Sequence, residues 1–204
     1  MLKKFFIAAS IIVLAGILFM AYLILFSPGP DLSKYEFLKE PRITTMADQK
    51  MVVVTAQGDP NAVGSKAFGL LFKTYFKIPG VPKSMNLAPR ARWTGDMKSK
   101  SSWTGYYAMP VPAETASLPD VTPEPGFKVE LTTWEYGTVA EILHVGPYAE
   151  ETPTIEKLHA FISQQGYEII GYHEEEYVKG PGMFSKGDPK NFYTIIRYRV
   201  KKKV

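Results

Sequence analysis

The sequence predicts an α+β fold: an N-terminal transmembrane helix, then a two-layer domain built from two related halves. Three observations predict it. Ile43–Pro60 aligns with Leu131–Tyr148 without a gap at an offset of 88 positions. Thr44-Thr45 then falls on Thr132-Thr133 and Gly58 on Gly146, with apolar residues on apolar residues. Self-similarity at a fixed offset is the signature of a duplicated structural unit. Each copy continues into an amphipathic helical run and two more strand-like segments, so one helix per half covers an antiparallel sheet. Finally, Phe5–Phe26 carries no charged residue. At ~1.5 Å rise per residue that stretch spans ~33 Å, enough for a bilayer core of ~30 Å.

The elements follow in order. Lys3 and Lys4 precede the apolar run, which places the N-terminus in the cytoplasm by the positive-inside rule. The run ends Leu25-Phe26-Ser27-Pro28, with no small-x-small cleavage site, so it is expected to remain as an anchor. The cytoplasmic membrane is the expected location, crossed once through residues 5–26, with the folded domain on its outer side. Ser27–Pro30 holds two prolines and a glycine and ends that helix as a stiff stalk. Residues 1–30 are thus anchor and stalk, and 31–204 the domain. Its halves span about 42–112 and 127–200, with the proline-rich stretch 113–126 as linker.

In the first half, Arg42–Met46 and Met51–Gln57 read as strands around the polar turn Ala47–Lys50. Asp59-Pro60 opens a helix, because an Asp carboxylate accepts an orphan N–H and proline suits the next position. Phe68, Leu71, Phe72 and Tyr75 form its buried stripe at helical spacing. Pro89–Thr94 and Ser101–Val111 are the closing strands, after the loop Ile78–Ala88. The second half repeats this with Lys128–Glu135, Thr138–Val145, a helix capped by Thr152-Pro153, Tyr167–Val178, the loop Gly180–Pro189, and Phe192–Val200. Ile155, Leu158, Phe161 and Ile162 make the second stripe, which Gly166 terminates. Neither half buries enough surface alone. Two halves packed about a pseudo-twofold axis leave a central cleft.

Composition excludes several functions. A net charge of +4, which becomes +2 without Lys3 and Lys4, is too weak to argue for nucleic acid. The absence of cysteine removes thiolate metal sites, disulfides and thiol catalysis. Gly58–Lys66 faintly suggests a phosphate loop, but its spacing and its Ser-Lys order are wrong. His144, His159 and His173 lack metal-type spacing, so neither metal nor cofactor is expected.

The run Glu174-Glu175-Glu176 is more informative. Strand alternation puts His173, Glu175 and Tyr177 on one face and Tyr172, Glu174, Glu176 and Val178 on the other. A solvated acidic strand is one reading. The other is a single carboxylate, Glu175, among aromatic residues, which serves as cation counter-charge or proton-transfer group. Phe192, Thr194, Ile196, Tyr198 and Val200 are the more apolar alternate set of the last strand and are expected against the helices. Tyr193 would then face the cleft. Trp103-Thr104 echoes Tyr193-Thr194 at the start of the last strand of each half, so Trp103 and Tyr107 would face it too.

The second half resembles a GyrI-like small-molecule-binding domain. The matching pieces are H-V-G-P-Y (His144–Tyr148), the helix Ile155–Gln165, G-Y-E-I-I-G (Gly166–Gly171), E-E-Y (Glu175–Tyr177) and the strand Tyr193–Val200. The resemblance covers about residues 42–200, strongly in the second half and weakly in the first, and lies in the order and spacing of the pieces. It implies a duplicated β-α-β-β (SHS2-like) fold. It implies binding of lipophilic cations in an aromatic cleft, with Glu175 as counter-charge and Tyr177, Trp103, Tyr107 and Tyr193 as walls. Some stand-alone members resemble hydrolases of electrophilic cyclopropane compounds, for which Glu175 and Tyr177 are the matching catalytic positions. This chain departs from the family's regulators: an anchor occupies the end where they carry a DNA-binding module, so no nucleic-acid partner is expected. Lys179-Gly180-Pro181 also replaces the aspartate-proline pair that follows the strand in many relatives. A structural or protein-interaction module is the remaining alternative.

Overall fold

In the computed structural model the chain divides into two units, Met1–Asp31 and Leu32–Val204. Residues 30–84, 87–95, 102–181 and 187–204 are described, so the account concerns the second unit. The expected anchor Phe5–Phe26, its flanking lysines and nearly all of the stalk lie outside the described residues, as does part of the Gly180–Pro189 loop. Among the described residues, no helix is long and apolar enough to cross a membrane.

The unit is α+β, with one large antiparallel sheet. Its strands are β1 (Arg42–Met46), β2 (Gln49–Gln57), β3 (Arg90–Thr94), β4 (Thr104–Pro110), β5 (Phe127–Trp134), β6 (Gly137–Val145), β7 (Tyr167–Ile169), β8 (His173–Lys179) and β9 (Tyr193–Lys202). The order across the sheet is β1-β6-β9-β8-β3-β4-β2-β5, with β7 on the end of β9. Exchanging β1 to β4 with β5, β6, β8 and β9 returns the same order read backwards.

The first strands do not fold back on their own neighbours. β1 pairs with β6 and β5 with β2, each reaching into the other half. The register is unbroken from Met46↔Gly137 to Gln49↔Trp134, so residues 42–56 and 127–141 form one long antiparallel ribbon. The polar stretch expected as a turn at 47–50 is instead a bend in that ribbon. The Asp48 carboxylate accepts from the Tyr136 amide there, 2.9 Å away.

Two helices cover one face. α1 (Pro60–Tyr75) opens as expected: Asp59 accepts from the Asn61 amide at 2.9 Å and Pro60 takes the first helical position. Its Leu71 and Tyr75 are buried against Val52, Val54 and Met109. α2 (Thr152–Gln164) buries Leu158 and Ile162 against Ile142, Ile196 and Val200. Gly166, with φ of 75°, follows its end. The expected Thr152-Pro153 cap is not used. Helical backbone already runs through Glu151, which makes no side-chain cap bond, and Thr152 is the first residue of the helix. The expected single strand Tyr167–Val178 is also broken. Ile169 pairs with Val200 but Glu174 with Arg197, so two extra residues bulge out around Gly171. A Cβ on Gly171 would meet the Arg199 side chain at 2.9 Å, which is why the chain can cross there only as glycine.

The other face of the sheet holds ion pairs between side chains. Arg197 binds Glu141, Glu174 and Glu176 at 2.9, 2.9 and 3.2 Å, Arg92 binds Glu174 at 2.8 Å, and Arg90 binds Glu176 at 3.0 Å. Tyr136 donates to Glu174, and Arg92 lies 3.9 Å over the Trp134 ring. These groups are almost fully buried, and removal from water is costly unless every charge is paired, as here. Glu174 and Glu176 are therefore neither solvated nor on the face that carries the helices. The sequence signal was the alternation Arg90/Arg92, Glu174/Glu176 and Arg197/Arg199, three like-charged pairs at strand spacing. The 3-10 helix Leu32–Lys39 closes an end of this face through Leu38, against Leu143, Val178 and Ile195.

Candidate functional site

β8 and β3 are the middle strands, lying between the strands that carry α1 and those that carry α2. On the helix face their side chains are Ala91 and Trp93 from β3, and His173, Glu175 and Tyr177 from β8. Ala91 pairs directly with Glu175, so the one acid on this floor faces a methyl group across the middle of the sheet.

Glu175 is nearly buried, its side chain 13% exposed. Tyr177 donates to its Oε2 at 2.6 Å, and His173 Nε2 lies 2.9 Å from its Oε1. The other ring nitrogen, Nδ1, lies 2.6 Å from the Tyr198 hydroxyl. A continuous hydrogen-bonded chain, Tyr198–His173–Glu175–Tyr177, therefore crosses the floor.

Rings surround it. Phe68 of α1 meets Tyr107 and Tyr177 edge-on at 4.9 and 5.7 Å. Trp93 meets Tyr107 at 5.3 Å and Trp103 at 6.0 Å. Tyr148, at the turn before α2, meets Tyr177 at 5.5 Å and is partly exposed at the rim. Gly105 makes the stack possible: a Cβ there would lie 2.7 Å from Trp93 and 2.8 Å from Tyr107.

Glu151 is the residue sequence reasoning missed. It sits where a helix cap would, but its carboxyl is buried, 6% exposed, and its Oε1 has no hydrogen-bond partner among the described residues. Its oxygen, one from Glu175 and one nitrogen of His173 lie within 4.8 Å of one another. Burial, and then the charge of Glu175, push the Glu151 carboxyl up to about 9, so it holds a proton at neutral pH. The same two causes push Tyr107 up to about 12 and hold Tyr148, Tyr177 and Tyr198 above the usual phenol range. The floor is thus one carboxylate ringed by neutral hydroxyls. A cation can be drawn to it by that charge and by ring faces together.

Glu175, Tyr177, Tyr107 and Trp103 of the expected site share this face. Tyr193 does not. It packs with Leu38, Leu143, Val178 and Ile195 on the opposite face. The reason is register. Tyr107 pairs with Val54, and Ile196 with Ile142, which is Val54 shifted by 88. Tyr107 therefore corresponds to Ile196, an offset of 89, and Trp103 to Phe192. The backbone agrees: Gly58 N–H donates to Trp103 O and Gly146 N–H to Phe192 O. Matching Trp103 to Tyr193 slips one residue, and one residue reverses the face of a strand. Phe192 stacks beside Tyr148 at 5.3 Å. His173, which lacked any metal-type spacing to a carboxylate in sequence, lies within hydrogen-bond reach of one.

Comparison with solved structures finds the same fold elsewhere. An uncharacterized conserved protein from Listeria innocua superposes with a TM-score of 0.69 at 21% identity, covering 84% of this chain and 97% of the other. A hydrolase from Listeria innocua gives 0.59 at 16% identity, covering 80% and 92%. The C-terminal domain of EcmrR gives 0.57 at 15% identity, covering 80% and 98%. No family model and no curated protein matches the sequence. At these identities the likeness is one of fold.

Proposed function

With the fold of the GyrI-like domains as the premise, we propose that this domain binds a small, largely apolar cation between its two helices. Glu175 supplies the counter-charge, Tyr177, Tyr107 and Trp103 the walls. The observation that carries this reading is the near-complete burial of Glu175 among rings, with Tyr177 and His173 orienting its oxygens. A buried carboxylate gains from a positive charge brought into the same low-dielectric space. The cleft itself is read as the seam of a duplicated β-α-β-β unit with pseudo-twofold symmetry, supported by a strand order that survives exchange of the halves. The apolar run Phe5–Phe26 and the lysines before it support anchoring in the cytoplasmic membrane, with this domain on the outer side.

The test is a thermal-shift titration with benzyltrimethylammonium and its neutral isostere neopentylbenzene. The cation should raise the melting temperature of wild type well above its effect on Glu175→Gln. A cation that stabilises both proteins equally rejects the role of Glu175.

A second reading is hydrolysis of an electrophilic small molecule, with Glu175 as general base on water and Tyr177 orienting the substrate. It is favoured by the two hydrogen bonds that fix the carboxylate, and by the fold shared with a Listeria innocua hydrolase. Turnover of an activated cyclopropane compound, lost in Glu175→Gln, supports it. Absence of turnover alongside cation binding leaves the first reading alone.

A further inference from the structure

We propose that Glu151, His173 and Glu175 form a binding site for one divalent transition-metal ion of the zinc type. The inference goes beyond the organic-cation reading, and because both occupants use Glu175, each excludes the other.

Three kinds of observation carry it. The donor set is two carboxylates and an imidazole, one atom from each, all within 4.8 Å of one another. Zinc bonds of ~2.0–2.2 Å to these donors require separations of ~3–4 Å, so small side-chain adjustments close the set. Imidazole argues for zinc-like ions over magnesium or calcium, which take oxygen donors.

The Glu151 carboxyl is the second observation. It is buried, makes no cap hydrogen bond at its helix terminus, and carries an oxygen without a partner among the described residues. An orphaned buried oxygen is costly, and a cation at the cluster would satisfy it.

The third is the outer layer. Metal-ligating imidazoles are held by a hydrogen bond at the other ring nitrogen, and ligating carboxylates are themselves hydrogen-bonded. Here the Tyr198 hydroxyl lies 2.6 Å from His173 Nδ1, and Tyr177 donates to the Glu175 oxygen that faces away from His173. With Nε2 on the ion, Nδ1 carries the proton and the Tyr198 oxygen accepts it. Two carboxylates and a dication sum to zero charge, which suits a site so far removed from water.

The experiment uses the full-length chain, stripped with chelator and titrated with Co²⁺, whose visible absorption reports a low-coordinate site. The expected result is saturation at one equivalent, displacement by Zn²⁺ and not by Mg²⁺. Affinity should fall at least 10-fold in Glu151→Gln and about 10-fold in Tyr198→Phe, which removes only the outer-layer bond. Near-UV circular dichroism checks that each variant is folded, and Tyr198→Phe serves alone should Glu151→Gln not fold. Absence of a saturable band, or a band of equal affinity in the variants, overturns the site. Benzyltrimethylammonium binding in the presence of chelator is measured in parallel. Organic cation bound without Co²⁺ rejects this inference and spares the cleft reading. Co²⁺ bound without the organic cation does the reverse.

Discussion

Replacing Glu175 by glutamine removes one carboxylate from the proposed site and little else. The side chain keeps its length, and an oxygen remains to accept from Tyr177, now 2.6 Å away. A quaternary ammonium, shielded by its methyl groups, brings its charge no closer than ~4–5 Å to a carboxylate. At an effective dielectric of ~20 that attraction is ~3–4 kcal/mol. Part of it is lost because the carboxylate and the cation both leave water. A net loss of about 2 kcal/mol, or roughly 30-fold in affinity, is expected for the variant. The assay is quenching of tryptophan fluorescence, to which Trp93 and Trp103 report from the wall of the cleft. Wild type should bind benzyltrimethylammonium more tightly than neopentylbenzene. Glu175→Gln should lose about 30-fold on the cation and nothing on the neutral compound. Equal losses on both would mean that the substitution damages shape rather than charge, and the counter-charge argument would be abandoned.

Other outcomes follow from the same geometry. Arg197→Met leaves three buried carboxylates short of a partner, Glu141, Glu174 and Glu176. It should cost about 3–5 kcal/mol in urea unfolding, and a cost below ~1 kcal/mol would show the network to be solvated. Gly105→Ala drives a methyl into Trp93 and Tyr107 and should destabilise by about 1–3 kcal/mol. Gly69→Ala, on α1 with no atom within 4 Å of the new methyl, should stabilise by roughly 0.5–1 kcal/mol. Matching melting-temperature shifts for the two would refute the packing account. The Tyr107 hydroxyl is buried without a hydrogen-bond partner among the described residues. Its folded form holds the proton up to about pH 12, while the unfolded phenol loses it near 10. The unfolded state then binds fewer protons, so stability should fall from pH 10 to 12, and less steeply in Tyr107→Phe. Identical alkaline profiles for the two proteins would exclude Tyr107 as a source of that loss.

Much of this molecule was legible in one dimension because it is written in local periods. Hydrophobic spacing of 3.6 at Phe68–Tyr75 and Ile155–Ile162 marks both helices, and Asp59-Pro60 marks the start of the first. Alternation along Glu174–Tyr177 separates Glu175 from its acidic neighbours without any knowledge of what lies on either side. The repeat at Gly58 and Gly146 survives as two residues with φ of 129° and 143°, each donating to the strand that closes its half.

What stayed hidden depends on which strands meet. β1 and β2 look like a hairpin in sequence, yet β1 pairs with β6 and β2 with β5, both in the opposite half. Tyr193 and Trp103 look equivalent, yet a one-residue difference in the closing strands turns their side chains to opposite faces. Glu151 reads as an ordinary acid beside a helix start. Only the packing of α2 on β6 and β9 brings it next to an acid 24 positions along the chain. Residue type and period decide what a side chain prefers. Long-range pairing decides which other charge it must live beside, and the chemistry around Glu175 lies in that second decision.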